Sequence, residues 1–369
     1  MTKKKVVLIS FTDFENPVLS GLLTKMNGQA NAFRELGYET ECLYLYGKKV
    51  VNDRGDFVKS LSGFSLRNSF FSAVETRLKS SDKAPEMLYI RYPFSTPGFI
   101  RFLKAVRTHF PDIKIVLEVP TFPYGREFVL FQKWKLWIDI YYRKNLIKYT
   151  DLVVTYGNKQ SFEGIRTINL TNGTEIPDLT TDNVEKEEIF AFVAVGNWRF
   201  WHGLDRFLYG MSQYLRQSPE KDIQLLVIGD GKDLAKYKDI TEELRLTRHI
   251  QFLGEKTEKE TKTILHRAHV GVGVLGSFRK GLISHSPLKH RLYAACGLPF
   301  IFSTDDPDFS GKAGFIYQFP ANEEPVSIQE ILDFYRKGSC PSVEIINYAQ
   351  QQLSWKNRME KVVMFFISN

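Results

Sequence analysis

Apolar runs of strand length alternate with helical patterns twice along this chain, once on each side of a polar, acidic stretch from Thr174 to Glu188. Before that stretch, Lys4–Phe11, Glu39–Tyr46, Met87–Tyr92, Ile113–Val119 and Asp151–Tyr156 read as strands. Between them lie a loop at Ser20 leading into a helix that ends at Gly37, and a helix over Phe99–Phe110. After the polar stretch, strands are expected over Ile189–Val195, Ile223–Ile228, Ile250–Leu253, Val270–Leu275 and Leu298–Ser303. Helices are expected over Leu204–Leu215 and Lys259–Ala268. Strands joined through helices pair in parallel, and such sheets take ligands beyond the carboxyl ends of their strands. Arg91 and Glu118 stand at such ends, as functional residues or as a structural ion pair. The polar region Lys48–Lys83 reads as variable, and Val343–Phe366 as one or two helices broken near Ser354-Trp355.

At 369 residues the chain is long for one core, and two α/β domains are expected. Its three cysteines, Cys42, Cys296 and Cys340, form neither a disulfide framework nor a metal-ligand spacing, which fits a reducing, cytoplasmic compartment. The apolar run after Lys5 is short and is followed by Thr12, Asp13 and Glu15, so it reads as a first strand and not as a signal peptide. No segment approaches the ~20 apolar residues of a membrane span. The net charge of +8 favours anionic partners, yet no zinc-finger or RNP motif is present, and nucleic acid is ranked last. The stretch Phe128–Tyr149 is dense in aromatics and in lysine and arginine. It has two readings: an interfacial helix resting on the anionic inner face of the plasma membrane, or a helix packing its aromatics on the sheet. The packing reading is the one adopted.

The best-marked helix is Ser286–Cys296. Ser286 is an N-cap type, Pro287 suits the first helical position and Gly297 the left-handed position after the helix. Leu288, Leu292 and Ala295 are expected on its packed face. Lys289 lies in the first turn, where the helix dipole disfavours a cation, and Arg279 and Lys280 lie just upstream. Free N–H groups beside three cations suit an anion such as a diphosphate. A second loop, Gly196-Asn197-Trp198-Arg199-Phe200-Trp201-His202-Gly203, follows a strand and precedes a helix; Arg199, His202 and Arg206 add charge there. Gly229-Asp230-Gly231 lacks the third glycine of a dinucleotide fingerprint, and Asp306-Pro307-Asp308 reads as a turn.

Taken in order, these pieces resemble the GT-B glycosyltransferases, and within them the retaining family-4-like group (glycosyltransferase group 1) of bacterial polysaccharide synthesis. The resemblance rests on Ser20-Gly21, Asn172-Gly173, Val195-Gly196 with His202-Gly203-Leu204-Asp205-Arg206, and Phe252-Leu253-Gly254. It continues through Ser286-Pro287-Leu288-Lys289, Gly297-Leu298-Pro299 and Leu353-Ser354-Trp355. It implies an α/β fold of two Rossmann-like parallel-sheet domains facing across a cleft. Residues 1–175 would bind the acceptor and residues 176–342 the nucleotide-sugar donor, while helices in 343–369 pack back on the first domain.

The resemblance further implies hexosyl transfer with retention to a saccharide or lipid-linked acceptor, with no cofactor and no metal. On its matching positions the donor contacts would be Gly196, Asn197, Arg199, His202, Gly254, Arg279, Lys280, Ser286 and Lys289. Gly21, Arg91 and Glu118 would lie on the acceptor side, and Glu118 and Lys289 would be catalytic. The family's usual Glu-x7-Glu pair is replaced by Ser284 and Leu292. That departure motivates the alternative, a non-catalytic GT-B-like subunit that binds an acceptor or a partner transferase.

Overall fold

The computed structural model describes residues 3–16, 19–62, 65–120, 133–156, 161–175, 186–217, 219, 221–309, 314–338 and 340–368. The chain divides into two compact units, Met1–Thr171 with Trp355–Asn369, and Asn172–Ser354. Most of the expected polar linker, residues 176–185, lies outside the described residues, as do residues 128–132 of the aromatic stretch.

The first unit begins β1 (Lys5–Asp13), α1 (Ser20–Glu35), β2 (Glu39–Tyr46), β3 (Lys49–Asn52), β4 (Phe57–Ser60) and α2 (Leu66–Lys79). It continues β5 (Met87–Arg91), α3 (Pro97–His109), β6 (Lys114–Val119), α4 (Lys133–Arg143), β7 (Leu152–Thr155), β8 (Ser161–Phe162) and β9 (Ile165–Asn169). Its sheet order is β4-β3-β2-β1-β5-β6-β7-β9-β8, parallel from β2 to β9 and antiparallel at both margins. The central strands are buried on both faces, so Val6–Ile9 and Ile115–Val119 read as continuous apolar runs interrupted only by Glu118.

The region Lys48–Lys83, expected to be variable, is instead a hairpin and a helix. Phe70, Phe71, Val74 and Leu78 of α2 are core residues, and Ser65 caps the helix by accepting from the Asn68 N–H. The polar composition hid an amphipathic helix whose apolar face packs beside α3. Gly21, placed in a loop by the sequence, lies in the first turn of α1.

The second unit contains β10 (Phe190–Val195), α5 (Leu204–Arg216), β11 (Ile223–Ile228), α6 (Leu234–Glu243), β12 (Ile250–Gly254) and α7 (Glu258–Arg267). Then come β13 (Val270–Val272), α8 (Leu288–Ala295), β14 (Phe300–Phe302), β15 (Ile316–Gln318), α9 (Ile328–Lys337) and α10 (Ser342–Leu353). The sheet runs β12-β11-β10-β13-β14-β15 and is parallel throughout. Glu260 and Thr257 form a reciprocal capping box at α7.

After Ser354 the chain enters α11 (Trp355–Ile367), which lies on α1 in the first unit. The Trp355 indole occupies the space over Gly28, where a Cβ would stand 2.3 Å from Cδ1. No helix among the described residues is long and apolar enough to cross a membrane.

Candidate functional site

In the second unit, the carboxyl ends of β10, β11 and β12 meet around glycines. Gly229 has φ of 101°, and a Cβ there would lie 2.1 Å from the Gly196 carbonyl oxygen; at Gly231 it would lie 2.2 Å from the Trp198 nitrogen. The Trp198 N–H donates to the Asp230 carbonyl, and its indole N–H to the Ile228 carbonyl. The glycines let two strand-end loops lie against each other with backbone exposed to whatever binds there. In the sequence Gly229 and Gly231 show only an incomplete dinucleotide fingerprint. Their role becomes visible only through the residues opposite them. Gly254 ends β12 at φ of 67°, its carbonyl accepting from the Gly229 N–H, with open space where a side chain would be.

Lys289 and His202 converge on Gly196. A Cβ built on Gly196 would stand 3.0 Å from Lys289 Nζ and 3.4 Å from His202 Nδ1. Both atoms are buried and, among the described residues, neither has a hydrogen-bond partner. The Lys289 ammonium lies 4.6 Å from the centre of the buried Trp198 ring, and the His202 ring meets Trp198 edge-on. Burial lowers the Lys289 pKa to about 7. Burial, with Lys289 close by, pushes His202 well below its ordinary value, so its imidazole is neutral. A desolvated cation with no counter-charge is costly unless it loses its proton or gains an anion. The first turn of α8 adds N–H groups that have no acceptor within the helix.

The rest of α8 departs from expectation. Ser286 does not cap it: its hydroxyl accepts from the Asn172 N–H at 2.9 Å, and the Asn172 side chain donates back to the Ser286 carbonyl. The packed face is only partly the expected one: Ala295 is buried and Leu292 packs on the core, but Leu288 is 36% exposed. Lys289, His290, Arg291, Tyr293 and Ala294 are buried as well, and polar pairing beneath the helix accounts for His290 and Arg291 among them. Arg291 grips Asp306 with both amino groups and Asp308 with one, and His290 Nδ1 hydrogen-bonds Asp306. The apparent Asp-x-Asp motif is therefore a counter-ion to Arg291. Gly297, at φ of 66°, ends the helix in the left-handed conformation expected of it.

The remaining cations are divided by their partners. Arg206, expected to face a ligand, is 2% exposed and donates to the Leu275, Pro320 and Glu324 carbonyls and to Asn322, so it ties loops together. Arg279 is bidentate on Asp205 at 2.9 Å and also pairs with Glu323, which neutralises its charge within the protein. Lys280 sits over the Trp201 ring at 4.4 Å. Arg199 is half-buried, and its carbonyl accepts from Tyr237. Asn197 is half-buried in the same loop, its side-chain oxygen 2.8 Å from where a Cβ on Gly231 would be.

In the first unit, parallel register places Arg91 directly beside Glu118. Glu118 is 1% exposed and accepts from Lys25 and Arg91 at 3.0 Å, Gln29 at 2.6 Å, Tyr89 at 2.9 Å and Tyr156 at 3.3 Å. Burial alone would raise its pKa, but Lys25, Arg91 and Gln29 outweigh that and hold it at about 2. A carboxylate so occupied positions cations and does not exchange protons near neutrality. Lys25, absent from the sequence-based candidates, is lowered by its burial to about 8. A pocket lined by Ser10, Phe14, Lys25, Gln29, Arg91 and Glu118 opens here. Gly21 is in α1 with open space beside it and is not among the pocket's lining residues.

Two α/β units built on parallel-dominated sheets are the arrangement found in solved GT-B structures. A glycosyltransferase from Rickettsia africae is 12% identical, with TM-score 0.66 over 100% of both chains. Sucrose-phosphate synthase from Thermosynechococcus elongatus is 12% identical, with TM-score 0.68 over 99% of this chain and 100% of that one. Anabaena HepE in complex with UDP-glucose is 12% identical, with TM-score 0.62 over the same shares. Residues 177–307 match the family described as Glycosyl transferases group 1. No curated protein matches the chain by sequence. The chain has the GT-B fold, and residues 177–307 carry the family match.

Proposed function

We propose that this protein transfers a hexose from a nucleotide-sugar donor, with retention and without a metal, to a saccharide or lipid-linked acceptor in the synthesis of a surface polysaccharide or glycoconjugate. The donor binds residues 172–354 and the acceptor the first unit, at the cytoplasmic face of the plasma membrane. The observation that carries this reading is the buried Lys289 ammonium, facing Gly196 beside a His202 nitrogen with no partner among the described residues, within the segment that matches the transferase family. A donor diphosphate gains negative charge as its bond to the sugar breaks. Lys289, neutral His202 and the first N–H groups of α8 would stabilise that charge where water is excluded. The Anabaena relative's complex with UDP-glucose makes UDP sugars the first donors to try.

A thermal-shift screen of the purified chain against UDP-, GDP- and ADP-sugars tests the proposal. A rise in melting temperature with at least one donor is expected, and a folded protein that responds to none overturns it. Donor binding without hydrolysis or transfer to any acceptor would instead favour the non-catalytic subunit, which the replacement of a carboxylate pair by Ser284 and Leu292 motivates.

A further inference from the structure

Helix α4 is mounted with its carboxylate inside and its tryptophans outside. Asp139 is 0% exposed; it accepts from the Ser95 N–H at 2.6 Å and from the Tyr92 hydroxyl, and Arg143 lies 3.8 Å away. Leu136 packs on the core from the same side. These contacts fix the rotation of the helix. Trp134, Trp137 and Tyr141, spaced three and four residues apart, therefore form an outward stripe with exposures of 58%, 71% and 69%. This overturns the reading in which the aromatics of this helix pack on the sheet.

Burying an acid to expose two indoles makes no sense for a helix that meets only water, since each indole could cover core surface. Lys133, Lys144 and Lys148 are exposed on and just after α4, and Asp139 is the only acidic residue from 133 to 150. Every exposed charge from 133 to 150 is positive, and the neighbouring Glu163 is paired with Arg143. Eleven residues are too few to cross a bilayer, but they suffice to lie along one, with indole rings at the headgroup level and lysines against anionic lipid.

We infer that the outer face of α4 docks the protein on an anionic lipid bilayer, through Trp134, Trp137 and Tyr141 with the flanking lysines. The inference deepens the membrane-face part of the proposed function, and its test uses no nucleotide or sugar, so the two readings stand or fall separately.

The full chain is incubated with phosphatidylcholine vesicles, with and without about 30% phosphatidylglycerol, and sedimented. Binding to the anionic vesicles is expected, weakened severalfold on neutral ones and largely lost at about 0.5 M salt. The double variant W134A/W137A should lose at least about tenfold in partitioning, with unchanged circular dichroism and melting temperature because both side chains are exposed. K144E/K148E should reduce binding to anionic vesicles only. Failure of the wild-type chain to sediment with anionic vesicles overturns the inference. So does equal binding by W134A/W137A, or a self-association that depends on these tryptophans in the absence of vesicle binding.

Discussion

Lys289 costs the ligand-free protein stability, a cost that an anion bound beside Gly196 would offset. Its pKa is about 7 in the folded chain against 10.5 for an ordinary lysine, so between those values the unfolded chain holds the extra proton. Stability of the ligand-free protein should therefore rise with pH from about 7 towards 10.5, and the penalty is complete below that window. Lys289→Met, which removes the buried charge and keeps the bulk, should raise the melting temperature without ligand and reduce the shift given by a nucleoside diphosphate. Scanning calorimetry of both proteins reads this directly. Glu118 behaves oppositely. Its depressed pKa gives stability that is present above about 4.5 and lost as pH falls towards 2. Glu118→Gln leaves Lys25 and Arg91 without their counter-charge and should destabilise the fold by about 3–5 kcal/mol in urea unfolding. Sequence alone showed Lys289 as a cation in a first helical turn, but Arg206 and Arg279 looked equally available there. What separates them is a set of acceptors 69 to 118 positions away for Arg206, and Asp205 with Glu323 for Arg279. Local pattern carries no trace of such partners.

At the scale of elements, two glycines hold close approaches that no side chain permits. Gly28→Ala would drive a methyl into the Trp355 ring, which is buried and cannot swing away, and so lift α11 from α1. A loss of about 1–3 kcal/mol is expected, with earlier proteolysis at the C-terminal helix. Gly229→Ala adds both a clash with Gly196 and a strained positive φ, and should damage nucleotide binding along with stability. The ends of α8 show what local chemistry decides. Gly297 closes the helix as its conformational freedom predicts, whereas Ser286, an equally plausible cap, was drawn to Asn172 by the tertiary fold. In α2 the helix was missed because its apolar residues, Phe70, Phe71, Val74 and Leu78, are separated by serines and charges that dilute the average. In α4, periodicity marked a helix but not which face turned inward, because Asp139 found partners in Tyr92 and Ser95.

For the molecule as a whole, the two parallel sheets were legible because strands buried on both faces are written as unbroken apolar runs, as in Phe190–Val195 and Ile223–Ile228. The break at Ser354 was legible too, between α10 and α11. Strand order and the antiparallel margins at β3, β4 and β8 were not, since pairing partners leave little local signature. In the proposed reaction the strand ends around Gly196, with Lys289 and His202, receive a nucleoside diphosphate. Isothermal titration of UDP, GDP and ADP at pH about 8, repeated in buffers of different ionisation enthalpy, addresses it. At least one should bind the wild-type chain with uptake of a proton by Lys289, and Lys289→Met should bind it more weakly by about 1–3 kcal/mol without that uptake. Absence of binding by all three, or equal affinity and proton uptake in Lys289→Met, would contradict the account.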